Sequence, residues 1–197
     1  MGELFRSFDE SWSHFLAREE PLESFVDGLP EGESATVAVW LIALAPELAV
    51  RVGALQRRLP QVDWLRPLPP HFLHVTLAEH GFLDERSRVA ELLEHGRDAL
   101  RGLRRFRLAF PRLNCFHEAV VAEVEGETEA LRDAAARLRG STAEPFLPHL
   151  SLAYTTASGP VAELRDALVR LRETHLGEQE VGAIQLCLVD APPEGLH

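Results

Sequence analysis

The chain has 197 residues, 46% of them hydrophobic and 26% charged, with a formal net charge of −11. That length buries a full core, as one domain or as two small lobes sharing one. The acidic balance excludes a protein that grips long nucleic acid through its overall field, though not one that holds a nucleotide or an RNA end in a local pocket. No apolar run approaches the roughly 20 residues of a bilayer span. The N-terminus, Met-Gly-Glu-Leu-Phe-Arg, lacks the basic start and apolar stretch of a secretion signal. It also has Arg6 where a myristoylation motif wants Ser or Thr, so a cytoplasmic protein with no membrane partner is expected.

Leu4, Phe5, Phe8, Trp12, Phe15 and Leu16 recur at roughly helical spacing, which predicts a short amphipathic helix. With the polar linker Glu31-Gly32-Glu33-Ser34 it makes residues 1–34 an appendage expected to pack on its own domain. From there to residue 190 the elements alternate. Residues 36–44 predict a strand, and Pro46 opens a helix to about Leu59. A short strand over 62–66 and a strand over 72–78 follow. Asp84 is a candidate N-cap for a helix to about Leu103. Strands are predicted over 106–110 and 119–124, as a hairpin across residues 114–118. Thr128 is expected to cap a helix to about Leu138. A strand over 147–154 and a helix capped by Ser158 to about Arg172 follow, and one last strand over 181–189 precedes a tail of residues 191–197. Strand, helix and strand occur in both halves. This predicts an α+β fold of two similar lobes of antiparallel sheet with flanking helices around a pseudo-twofold axis.

One phrase is written twice: His74-Val75-Thr76-Leu77-Ala78 and His149-Leu150-Ser151-Leu152-Ala153. Strand side chains alternate between faces. His74 therefore shares a face with Thr76, and His149 with Ser151, while the apolar residues between them point into a core. With nine histidines, one such phrase is unremarkable, and a lone strand histidine is more often structural than catalytic. Two copies in equivalent apolar strands, each shortly after a proline (Pro70 and Pro148), are a different matter. Two imidazoles and two hydroxyls brought together make a compact site for acid–base work on a phosphate ester, with no metal required.

The doubled motif resembles that of the 2H phosphoesterase superfamily and, within it, the 2′-5′ RNA ligase-like proteins, over roughly residues 36–190. In these proteins the first motif typically continues His-x-Thr-Leu-x-Phe-x-Gly. Here it reads His74-Val-Thr-Leu-Ala-Glu79-His80-Gly81-Phe82, with Glu79 where an aromatic is usual. The second motif often carries a basic residue after the leucine, where this chain has Ala153 and Tyr154. The resemblance implies metal-independent hydrolysis of a 2′,3′-cyclic phosphate, or 2′-5′ phosphodiester chemistry, on RNA ends or nucleotides without a cofactor. It implies His74 and His149 as the catalytic pair, motif strands lining a central cleft, and cleavage to a 2′-phosphate. Thr76 and Ser151 would donate to the phosphate oxygens. Which histidine is acid and which is base is not legible in the sequence.

Other residues carry less. Tyr154, Phe82 and Phe116 are candidates to stack on a base, with Tyr154 favoured because it ends the second motif strand. The spacing of His71, His74 and His80 matches no familiar zinc pattern; His71 falls on the opposite face, His80 lies beyond the predicted strand end, and no metal site is expected. His95 and His117 read as surface and loop residues. Arg101, Arg104, Arg105, Arg107 and Arg112 form the densest basic cluster, read first as a solvated helix end and second as a rim for RNA phosphates. Cys115 and Cys187 read as free thiols in apolar segments. A non-catalytic module binding nucleotide or RNA ends in the same cleft is the alternative, and a partner protein acting through the appendage is a third class. A monomer is the expected oligomeric state.

Overall fold

The computed structural model describes residues 5–25, 35–82, 87–140 and 146–191. Its helices are α1 (Phe8–Ala17), α2 (Pro46–Gln56), α3 (Ser87–Ala99), α4 (Thr128–Arg139) and α5 (Val161–Leu171). The strands are β1 (Ala35–Ala43), β2 (Leu65–Pro67), β3 (His74–Phe82), β4 (Phe106–Phe110), β5 (Leu113–Cys115), β6 (Ala119–Glu123), β7 (Glu125–Gly126), β8 (His149–Thr155), β9 (Gly177–Val181) and β10 (Gln185–Ala191). Seven strands make an antiparallel sheet in the order β10-β1-β3-β8-β6-β5, with β2 added alongside β8; β7, β4 and β9 make a second, smaller sheet. The fold is α+β, and β3 and β8 are neighbours at the middle of the large sheet.

The two halves repeat strand, helix and strand, as β1–α2–β3 and β6–α4–β8, and the helices cross over. Helix α2 packs on β8, whereas α4 packs on β3. Burial of one stripe drives this packing. In α4, Leu131, Ala134, Ala135 and Leu138 recur at helical spacing and are all buried, while the arginines between them stay outside. Val75, Leu77, Leu150 and Leu152 fill the same core cluster from the sheet. Helix α4 ends at Gly140, whose φ of 67° suits a residue without Cβ.

The N-terminal segment packs on this framework. Ser7 caps α1 by accepting the Glu10 N–H at 3.1 Å. Ser11 is buried and donates to the Cys115 carbonyl at 3.0 Å, and Asn114 of β5 donates to the Phe8 carbonyl at 2.9 Å. Trp12 lies under the Arg172 guanidinium, 4.5 Å from the ring centre. Further on, Leu22 bridges to Gly159, and the Phe25 N–H donates to the Thr155 carbonyl at 2.8 Å.

Several elements differ from the sequence expectation. The last strand is two strands in different sheets. Glu178, Gln179 and Glu180 alternate exposed, buried, exposed in β9, so low apolarity hid a strand. The expected hairpin partner of β6 is β5, not residues 106–110; Pro111 follows β4, which joins the small sheet. The short early strand runs over 65–67, and Phe72 belongs to a 3-10 turn (Pro70–Phe72) before β3. Thr128 and Ser158 cap nothing: the N-cap positions are Glu127 and Pro160, neither with a side-chain cap. Helix α3 stops at Ala99, and Asp84 lies outside the described residues. His80 sits within β3, which runs on to Phe82.

Candidate active site

Val75 and Leu150 are paired residues of the antiparallel β3–β8 pair. Direct partners share a face, and both are buried in the core. The flanking residues therefore turn to the other face together. Continued one residue either way from this single pair, the register directs His74 toward Ser151 and Thr76 toward His149. Each imidazole is thus directed toward the hydroxyl of the other motif across the strands, as well as sharing a face with its own along the strand.

The two imidazoles are held alike. His74 Nδ1 is 2.7 Å from the Phe72 carbonyl oxygen, and His149 Nδ1 is 3.0 Å from that of Leu147, in both cases two residues back. A carbonyl only accepts, so Nδ1 carries the proton and Nε2 is left with its lone pair when the ring is neutral. Both rings are partly buried. Burial lowers the pKa of His74 below the usual histidine value, against the opposing pull of the Phe72 carbonyl and the charge of Glu79. Burial also lowers that of His149, and the nearby charge of His74 adds to the effect. A bound anion would oppose both shifts.

Each motif strand contains an extra residue at the same place, and β3 has a second register shift beyond Glu79, between its partners Val37 and Val39. Trp40 pairs with Ala78 but Leu41 with Thr76, so Leu77 is bulged out of the β1–β3 ladder. Val120 pairs with Ala153 but Val121 with Ser151, so Leu152 is the bulge of β6–β8. A bulge resets which face the following residues take. Leu77 and Ala78 are accordingly both buried, as are Leu152 and Ala153. Glu79 and Tyr154 then come onto the face of the histidines. Side chains from the crossed-over helices satisfy the bulge carbonyls: Arg139 Nε of α4 donates to Leu77 O at 2.8 Å, and Gln56 Nε2 of α2 donates to Leu152 O at 2.8 Å. Glu79, Arg139 and Gln56 were not picked out from sequence as parts of this arrangement. The break in alternation, two successive apolar residues in each motif, is the signal that points to the bulges.

Aromatic residues wall the His149 side. The Phe116 and His149 rings meet at 75° with centroids 4.7 Å apart. Phe8 of α1 stacks on Phe116 at 6.4 Å, and Phe5 stacks on His117 at 4.9 Å. Tyr154 has one ring face against Phe25, with centroids 4.1 Å apart and planes inclined by 14°. Burial raises the Tyr154 pKa, and a hydrogen bond with the Ser151 hydroxyl opposes the rise. The residue chosen from sequence to stack on a base thus stacks on the chain's own N-terminal segment and contacts Ser151.

The remaining candidates lie elsewhere. Arg101 pairs with Asp98, Arg105 with Glu180, and Arg112 with Glu123 and Glu125. His71 is exposed in the 3-10 turn, and His80 Nε2 is buried with no partner among the described residues. Cys115 and Cys187 are free thiols, Cys115 buried and Cys187 partly so, and burial pushes the Cys115 pKa far up. Beside His149 on β6 is Glu123, wholly buried. Its carboxylate accepts from Arg172 at 2.5 Å, Asn114 at 2.8 Å and Arg112 at 3.2 Å.

The family model of the 2′-5′ RNA ligase superfamily matches residues 44–190. Among solved structures, TT0787 of Thermus thermophilus is similar, with a TM-score of 0.62 and 22% identity, covering 81% of this chain and 91% of its own. E. coli LigT complexed with NADP+ gives 0.60 and 18%, covering 80% and 96%. ATU0111 from Agrobacterium tumefaciens, a conserved protein of unknown function, gives 0.53 and 16%, covering 93% and 94%. LigT has also been solved with 3′-AMP and with ATP. At these identities the likeness is one of fold. A search of curated proteins finds no match.

Proposed function

The chain belongs to the 2′-5′ RNA ligase superfamily, and on that footing we propose that it is a phosphodiesterase of the 2H type, acting without a metal on the 2′,3′-cyclic phosphate of a nucleotide or RNA end, or on a related 2′-5′ ester. The observation that carries the reading is the matched pair of imidazoles, each with Nδ1 tied to a carbonyl two residues back and the motif hydroxyls beside them. The nucleotides held by E. coli LigT are in keeping with a substrate of this kind.

In the proposed reaction the neutral imidazole takes a proton from water through Nε2 as the water oxygen attacks phosphorus. The other, protonated, gives its Nε2 proton to the ribose 3′-oxygen as the P–O3′ bond breaks, leaving a 2′-phosphate. One water is consumed, the two rings end with their protons exchanged, and solvent restores them. General acid–base assistance of this kind contributes about 10²–10⁴-fold. Thr76 and Ser151 would donate hydrogen bonds to the non-bridging oxygens, where charge accumulates. Tyr154 would orient Ser151, and Phe116 would keep water away from one flank of His149.

Incubation with adenosine 2′,3′-cyclic phosphate in EDTA tests the reading. Turnover to adenosine 2′-phosphate is expected. Binding without turnover would favour the alternative, a nucleotide-binding module; a 3′-phosphate product would contradict the proposed direction of cleavage.

A further inference from the structure

Glu79 and Tyr154 occupy equivalent positions, each delivered to the histidine face by the bulge before it. One is aromatic and the other a carboxylate, so the site is unsymmetrical in charge although its backbone is nearly symmetrical. Glu79 is exposed, and its charge acts on both His74 and Tyr154. Glu118, half-buried near the other end, also acts on Tyr154.

Among the described residues, several cations near the motif strands are engaged. Arg18 is tied to Glu23 and to the carbonyls of Glu20 and Pro21. Arg112 and Arg172 hold buried Glu123. Arg139 spans the Leu77 carbonyl and the Phe146 ring. Arg66, the register partner of Tyr154, already has a partner. What the constellation itself offers an anion is two hydroxyls and one imidazolium, which matches one negative charge.

We propose that Glu79 is a specificity-determining residue that restricts the site to small esters carrying a single negative charge, such as nucleoside 2′,3′-cyclic phosphates, and disfavours longer RNA ends. The proposal rests on the phosphodiesterase reading for its choice of ligand. Each further phosphate of an oligonucleotide brings a charge toward the Glu79 carboxylate, while the arginines named above already hold partners. Coulomb repulsion from an exposed carboxylate weakens binding by about 2- to 6-fold for the nearest charge and by less for each one further out, falling with distance and salt.

The test is binding and turnover of adenosine 2′,3′-cyclic phosphate and of di- and tetra-adenylates ending in the same cyclic phosphate. Affinity is measured calorimetrically on a His149→Ala variant, with and without Glu79→Gln, and turnover on the wild-type protein. The expected result is affinity falling with length, a decline that shrinks at high ionic strength, and a mono-to-tetranucleotide ratio lowered about 3- to 30-fold by Glu79→Gln. If binding follows this order but no compound is turned over, the phosphodiesterase reading fails and the charge selection stands. Affinity that is absent, rises with length, or keeps the same ratio in Glu79→Gln overturns the proposal, whatever the turnover. A length dependence that ignores salt would mark simple steric exclusion and overturn it too.

Discussion

Val75 and Leu150 are direct partners across the centre of the large sheet, and the register of that pair directs each motif's hydroxyl toward the other motif's imidazole. Residues directly opposite on antiparallel strands have Cβ atoms about 4.5–5.5 Å apart, whereas same-face neighbours along one strand are near 7 Å. Thr76 therefore belongs with His149 as much as with His74.

Thr76→Val keeps the shape of the side chain and removes its donor. It should lower kcat on adenosine 2′,3′-cyclic phosphate by about 10²–10³-fold with little change in KM, as expected for a donor whose bond strengthens in the transition state. Ser151→Ala should behave alike, and Thr76→Ser should retain most activity. A loss carried by KM alone would show that the hydroxyls merely bind the ground state.

The pH profile follows from the direction of the two histidine shifts. Both are lowered by burial, and the free enzyme works with one ring neutral and one protonated. The kcat/KM optimum should therefore fall on the acid side of the ordinary histidine value of about 6.5. A bound anion favours the imidazolium, so the alkaline limb of kcat should lie at higher pH than that of kcat/KM. Phe116→Ala lets water reach His149 and should move the kcat/KM profile upward. An optimum above neutrality in the wild type would contradict the account.

Folding stability carries the same sign. Between about 6.5 and the lowered folded values, the unfolded chain binds protons that the folded chain does not. Stability is thus highest above that window and is lost as the pH falls through it. His80, lowered by burial with the charges of His95 and Arg88, acts in the same direction. Denaturant unfolding at several pH values should show the decline, and it should be shallower in His149→Ala. An unchanged slope would remove His149 from this set.

Glu123 is wholly buried, and its carboxylate meets Arg112, Arg172 and Asn114. Removing Glu123 leaves the largely buried Arg172 without its carboxylate, at a cost of about 3–5 kcal/mol, while Arg112 keeps Glu125. Glu123→Ala should lower Tm by roughly 6–20 °C in a chain of this size. A change below about 2 °C, the effect of less than about 1 kcal/mol, would mean that Arg172 finds water instead.

Much of this was legible because it is local. Alternation in 149–152 and helical spacing in α4 and α5 mark their elements, and the doubled phrase marks the residues that share one face. What stayed hidden depends on pairing. The Gly177–Val181 strand has two acidic residues in five, and pairing with β4 makes it a strand. The bulges at Leu77 and Leu152 leave a trace in the sequence, yet their effect on Glu79 and Tyr154 depends on the register with β1 and β6. The contact of Phe25 with Tyr154 joins residues more than a hundred positions apart, and no local pattern announces it.

The most direct measurement is hydrolysis of adenosine 2′,3′-cyclic phosphate in EDTA by His74→Ala and His149→Ala, each checked by circular dichroism for an intact fold. The account predicts that each variant loses about 10²–10⁴-fold in kcat, and that the double variant loses little more than the worse single one, because the two rings act as a unit. Turnover at the wild-type rate in either folded variant would contradict it.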